Sequence, residues 1–400
     1  MNRLKNKVIK TENLCCLFLI MPFVEPLLFK ESGYYTIDII YSIFKIISTF
    51  IALILNLKKQ SFRKFNFNKA FVYLAIFEGI IGLSTILYSG DIVKYCGPVV
   101  NILGLSLLTI YYYPRLKEDY FKQFINLLVI LAIINGMSVI LFPNGITQNE
   151  AWTEVYFLGI DNRFVFFYLP LIFFVSIYEL ERKNKLTFLW YFVCVITLFP
   201  LLYLWSVGAI IGMLILIGNI FVFSKSKKIA KINFNKFFII ILLLNVLIVF
   251  FNIQNYFADF LVNVLKKDIT LSGRTFLWEE AIELIKKYPL IGCGVQSNEV
   301  LSNFFYGGVT HPHNLFLTYL INGGIVGIIF YLLFIKLFIN NTKKIMNLKV
   351  KFVLNITIFT IFLLSLADTL DIGLMYVIFI IGILYSEVEK NEKSRNINIT

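Results

Sequence analysis

Histidine is nearly absent from this chain. Its 400 residues include two, His311 and His313, set two positions apart in His311-Pro312-His313-Asn314. No cysteine or acidic cluster accompanies them in the sequence, so no zinc-type ligand set is completed there. The five cysteines are spread thinly. Cys15, Cys16 and Cys194 lie in apolar runs and read as packing residues. Cys96 and Cys293 fall where one disulfide can form. Charge is scarce as well: 15% of residues are charged and 58% hydrophobic, with a mean hydropathy of +0.79. Such values exclude a soluble globular domain and describe a multi-spanning membrane protein. There is no low-complexity linker and no internal repeat.

Long apolar runs are abundant. A helix needs about 20 apolar residues to cross hydrocarbon. Twelve segments qualify, centred on 14–29, 36–56, 70–89, 96–113, 123–142, 163–179, 187–204, 206–223, 237–253, 314–335, 352–367 and 371–386. The run 187–223 is too long for one crossing and divides at Trp205-Ser206. Backbone in lipid cannot stay unpaired, so the spans are helices, and runs this uniform are unlike barrel strands. The expected fold is an all-α polytopic membrane protein of about 12 transmembrane helices. It forms a single membrane domain over 1–400, with one large extracytoplasmic loop at about 254–313.

The net charge is +13. Lys and Arg favour cytoplasmic loops, which accounts for that excess without a nucleic-acid partner. With the N-terminus inside, 28 of the 37 basic residues fall on the inner side, and Lys45 lies within a span. The bias alternates at every crossing. Both termini are therefore expected in the cytoplasm and 254–313 outside. The N-terminus resembles a signal peptide, but Glu25-Pro26 follows instead of a small-x-small cleavage site, so it reads as the first span.

The outer loop has its own order. Ser272 suits a helix N-cap. Over 274–288, Leu277, Trp278, Ala281, Ile282, Leu284, Ile285 and Tyr288 share one helical face, and Glu279, Glu280, Glu283, Lys286 and Lys287 the other. Pro289 ends this amphipathic helix, and Gly292-Cys293-Gly294 turns the chain. Arg274 sits at the helix start, where the macrodipole already favours anions, and its planar fork suits phosphate. The loop re-enters the membrane at the two histidines. Histidine titrates near physiological pH, so an acid–base group is expected there. Arg163, in Gly159-Ile160-Asp161-Asn162-Arg163 at the outer end of the sixth span, is a second candidate cation. Glu25, Asp38, Lys45, Glu78, Asp368 and Asp371 lie at membrane depth or near helix ends, where ionisable groups are expensive. Lys45 and Glu78 are expected to pair. Trp152, Tyr156, Trp278 and Tyr306 are aromatic candidates for sugar stacking.

The pattern Ser272-Gly273-Arg274, Trp278, Ala281, Pro289, Gly292-x-Gly294, then His313-Asn314, resembles the O-antigen ligase/polymerase superfamily of bacterial envelope glycan enzymes. In its ligase branch a His-Asn pair precedes nine residues, a glycine, two residues and a small residue. Here Gly324 and Gly327 fill those places. The resemblance implies a GT-C-like, membrane-embedded glycosyltransferase of the bacterial inner membrane, with no metal and no cofactor. Its substrate would be an oligosaccharide on undecaprenyl pyrophosphate at the outer leaflet. Membrane lipid, a flippase and a chain-length regulator of the same pathway would be its partners. His313 corresponds to the family's essential histidine and Arg274 to its loop arginine. His311, Asn314, Ser272, Trp278 and Asp368 are the expected substrate-binding residues, with Asp368 orienting His313 or binding sugar. Ligases carry an arginine at the outer start of the eighth span. This chain has Ser206-Val207-Gly208-Ala209 there, which puts weight on Arg163 as a third catalytic group.

Three functions are compatible with these features. A repeat-unit polymerase extends a lipid-linked glycan; a ligase moves the finished glycan to a lipid or wall acceptor; a twelve-span transporter or flippase does no chemistry. Transporters favour inverted repeats with sites near mid-membrane. This chain gathers its polar groups in one outer loop, and the polymerase-like 161–163 segment favours polymerase over ligase.

Overall fold

The computed structural model describes residues 2–31, 33, 35–58, 65–149, 153–224, 234–251, 256, 263, 273–366, 368, 369 and 372–397. Among the described residues the protein is all-α apart from a hairpin of two-residue strands, β1 (Thr147–Gln148) with β2 (Glu154–Val155). In chain order come α1 (Asn2–Ile20), α2 (Leu28–Glu31), α3 (Tyr35–Lys58), α4 (Phe65–Leu87), α5 (Ile92–Leu116), α6 (Glu118–Leu141), α7 (Val165–Lys183) and α8 (Phe188–Tyr203). Then follow α9 (Val207–Ser224), α10 (Phe234–Phe251), α11 (Arg274–Lys287), α12 (Asn298–Phe304), α13 (Leu315–Thr342), α14 (Leu348–Leu364) and α15 (Gly373–Ile397).

Every segment expected to span carries a helix. Among the described residues, eight helical segments are long and apolar enough to cross a membrane. Phe188–Tyr203 and Phe238–Val249 are apolar but shorter. The long run between α7 and α10 breaks where its length requires: Trp205 adopts a left-handed φ of 56° between α8 and α9. The span containing α7 is 83% buried and forms the centre of the bundle, whereas that of α3 is 11% buried. Helix α3 turns Ile39, Ile43, Phe44, Ile46 and Phe50 outward. Lipid is as apolar as these side chains, so their exposure costs little in a bilayer.

One expectation fails. Lys45 pairs with Glu25 at 2.5 Å, not with Glu78. Glu25 lies just past the end of α1, against α3, while the Glu78 carbonyl accepts from the Tyr95 hydroxyl. Cys96 and Cys293 are both free thiols; Cys96 is exposed and Cys293 buried.

Helix α13 is interrupted at Gly324, with φ 60° and ψ −163°. Lipid offers no partner for backbone freed at such a break. The chain supplies one by feeding 289–294 into the gap. Ile325 and Val326 N–H donate to the carbonyls of Pro289 (2.9 Å) and Leu290 (3.0 Å), and Cys293 N–H donates to Ile321 O (2.8 Å). Ser84 of α4 clamps the other side through Gly292 O at 2.7 Å. A Cβ on Gly324 would lie 2.3 Å from Leu290 O, and one on Gly292 would lie 2.3 Å from Ile321 O. Gly292, Gly294 and Gly324 of the motif are therefore fixed by backbone packing, and this packing ties the outer loop to α13.

Candidate active site

The His loop is held from three sides. Asn314 caps α13: its Oδ1 accepts from Leu317 N–H at 3.1 Å, and its Nδ2 donates to Leu366 O at 3.2 Å. Leu315 N–H donates to Ser365 O at 3.1 Å. The start of α13 is thus locked to the end of α14. On the third side, Trp278 of α11 donates its indole N–H to Pro312 O at 3.0 Å. To enter the cap, His313 takes a φ of 49°, uncommon for a residue with a Cβ. Its ring lies 4.1 Å from that of His311, centroid to centroid.

The end of α14 brings Asp368 to the histidines. Its Oδ1 lies 3.6 Å from His313 Nδ1 and accepts from Thr369 N–H at 2.7 Å. Its Oδ2 accepts from Asn162 Nδ2 at 3.3 Å. Asn162 belongs to the turn Asp161–Phe164 that opens α7, so the turn bearing Arg163 is bonded to the carboxylate facing His313. Arg163 Nη1 pairs with Glu31 Oε1 at 2.5 Å, and Ile160 N–H donates to Glu31 Oε2 at 3.2 Å. Residues separated by up to 337 positions thereby meet at one outer junction of the bundle.

The electrostatics follow from this packing. Burial, reinforced by the positive fields of His313, Arg163 and Lys94, pushes His311 down to about 4, so its ring is neutral at neutral pH. Burial acts to raise Asp368. The His313 ring, the Thr369 N–H and the nearby His311 outweigh it and hold the carboxyl below its usual range. An ionised carboxylate only accepts hydrogen bonds, so it selects the Nδ1–H tautomer of His313 and leaves Nε2 basic. Nδ1 is buried, while a quarter of the His313 side chain stays exposed. A 3.6 Å contact is looser than a formed hydrogen bond; catalytic contacts of this kind often tighten only around substrate. His311, His313 and Asp368 each offer one ligand atom within 4.8 Å of the others, so these three could also hold a metal ion. Asp368, named from the sequence as orienting His313 or binding sugar, is the acid that faces His313 in the fold.

Arg274 opens α11, four residues before Trp278 and hence on the same helix face as the residue that bonds Pro312. The structure thus gathers Arg163, His311, His313 and Asp368, with Arg274 one turn along α11. Two of the expected substrate-binding residues are deeply buried. Trp278 and Asn314 are each 1% exposed, and their polar atoms bond within the protein. Of the stacking candidates, Tyr156 is likewise buried, whereas Tyr306 is 60% exposed beside Phe276. Ser272, Trp152 and Asp371 lie outside the described residues. Sequence reasoning misses Glu31, whose one signal is that Arg163 at a membrane boundary needs a counter-charge.

A model of the O-antigen ligase family matches residues 163–332. That range starts at Arg163 and takes in Arg274, both histidines and Gly324, and stops short of Asp368. The exopolysaccharide production protein ExoQ of Rhizobium meliloti is 29% identical over 102 residues. The similarity spans 22% of this chain and 23% of that protein. No solved structure matches the chain.

Proposed function

We propose that this chain, similar to the O-antigen ligase family over residues 163–332 and to ExoQ over 102 residues, is a polysaccharide repeat-unit polymerase of the O-antigen ligase/polymerase superfamily. It transfers a glycan from undecaprenyl pyrophosphate to the acceptor sugar of a second lipid-linked glycan at the outer leaflet of the bacterial inner membrane. The observation that carries this is the Asn162–Asp368–His313 connection, which joins a cationic turn to an oriented base. His313 Nε2 takes the proton of the acceptor hydroxyl as its oxygen bonds to the anomeric carbon. The bond from that carbon to pyrophosphate breaks, and undecaprenyl pyrophosphate leaves with the electron pair. Arg163 and Arg274 stabilise the departing charge. Asp368 fixes the imidazole and stabilises its protonated form, as in other carboxylate–histidine pairs. In this scheme His313 and Asp368 do the acid–base work without a metal, and His311 packs beside them.

Polymerase is favoured over ligase by Ser206, which stands where ligases carry arginine, and by the 161–163 turn at the site. ExoQ is by its name a polysaccharide production protein. The ligase alternative draws on the His313-Asn314 spacing to Gly324 and Gly327. Deleting the chain and sizing lipid-linked glycans by electrophoresis separates the two. A missing polymerase leaves single repeat units and no long chains. Long chains piled on undecaprenyl pyrophosphate would establish the ligase instead.

The site works on an outer-leaflet substrate only if 254–313 faces outward. We propose twelve crossings with both termini cytoplasmic. Single cysteines at Asn303 and Met346, both exposed, are placed in a cysteine-free background. An impermeant maleimide on intact cells should label the first and spare the second. Equal labelling would break this topology.

A further inference from the structure

Resting on the proposed function, we infer that Glu31 is a positioning residue of the pyrophosphate clamp, holding Arg163 in its working orientation. Glu31 ends the short helix α2, and its side chain is 9% exposed, against 37% for Arg163. The carboxylate divides its two oxygens. Oε1 takes Arg163 Nη1 at 2.5 Å and Oε2 takes Ile160 N–H at 3.2 Å, so one group fixes both the guanidinium and the turn that carries it. Two further contacts dock α2 on that turn. Leu28 N–H donates to Phe157 O at 3.3 Å, and Gly159, with φ 97°, lies so close that a Cβ would come 2.9 Å from Leu27 Cβ and 3.1 Å from Glu31 Oε2. A long arginine at a membrane boundary otherwise samples many rotamers and snorkels to water. Anchoring one edge of its fork removes that freedom before substrate arrives and leaves the remaining N–H groups for an anion.

Positioning and charge pull in opposite directions here, which makes the inference testable by sign. As a bare negative charge beside Arg163, Glu31 would weaken anion binding, and its removal would tighten it. As a positioning group it strengthens binding, and its removal weakens it. The probe is undecaprenyl pyrophosphate, titrated against the full-length protein in nanodiscs. Glu31→Ala should weaken binding about tenfold, the loss of one charge-assisted contact. Glu31→Gln keeps one acceptor oxygen for Arg163 but turns a donor NH2 toward Ile160 N–H, so its affinity should fall between those of Glu31→Ala and wild type. If Glu31 acts through Arg163, the Glu31→Ala/Arg163→Ala double variant binds no worse than Arg163→Ala alone. Should Glu31→Ala fail to fold, Glu31→Asp, which retracts the carboxylate by one methylene, takes its place in the same cycle. Unchanged or tighter binding by the Glu31 variant, with Arg163→Ala weakened, overturns the positioning role and leaves the clamp standing. Additive losses in the double variant also overturn it. Wild-type affinity in Arg163→Ala removes the clamp itself, and the role of Glu31 with it.

Discussion

His313→Ala should lower glycan transfer by about 10²–10⁴-fold, the range a positioned general base supplies, while protein level and membrane insertion stay normal. His313 is three-quarters buried, yet neither ring nitrogen forms a hydrogen bond that holds two elements together; Asn314, Trp278 and Leu315 do that. The loop therefore keeps its course when the imidazole is lost. Asp368→Asn should follow in direction with a smaller loss. The amide occupies the same space but loses the charge that favours the Nδ1–H tautomer and the protonated ring. His311→Ala should cost less again, since a neutral ring beside His313 packs against it without taking the proton. Turnover measured on membranes from strains expressing each variant at matched level orders the three. A His311→Ala loss exceeding that of His313→Ala would transfer the base to the other ring.

Arg163→Ala should reduce transfer by about 10²–10³-fold, the scale seen when a preorganised donor to developing charge is removed. Arg163→Lys should recover only part of it, because an ammonium cannot bond Glu31 and a pyrophosphate oxygen in the same planar geometry. Arg274→Lys should be poorly tolerated because a point charge cannot reproduce the planar fork. Measured as polymer formed per unit of membrane protein, near-normal output from Arg163→Ala would place the clamp elsewhere.

Much of the scaffold is legible in the sequence because hydrocarbon is a severe solvent. It demands long apolar runs, and these can be read one segment at a time. The amphipathic helix expected over 274–288 is α11, ending one residue earlier, and the break at Trp205-Ser206 follows from length alone. The chemistry is less legible because it is built across the bundle. Asp368 reaches the histidines only once α13 and α14 are tied together at Asn314. Arg163 reaches them through Asn162, and its orientation depends on Glu31, 132 residues earlier. No local pattern encodes those pairings. Trp278 and Asn314 stand out in the sequence as an aromatic and a polar group, and only the fold shows them bonded to Pro312 and Leu366. Gly292 and Gly324 belong to the same motif because backbone meets backbone there.

Release of undecaprenyl pyrophosphate reports the proposed transfer step itself. The purified protein is reconstituted in nanodiscs with lipid-linked glycan extracted from membranes, with EDTA present throughout, and freed undecaprenyl pyrophosphate is counted against glycosidic bonds formed. One molecule is expected per bond, undiminished by EDTA, with near-background release from His313→Ala and Arg163→Ala. Equal release from wild type and His313→Ala, or activity abolished by EDTA and restored by a divalent metal, would contradict a metal-free centre built on His313, Asp368 and Arg163.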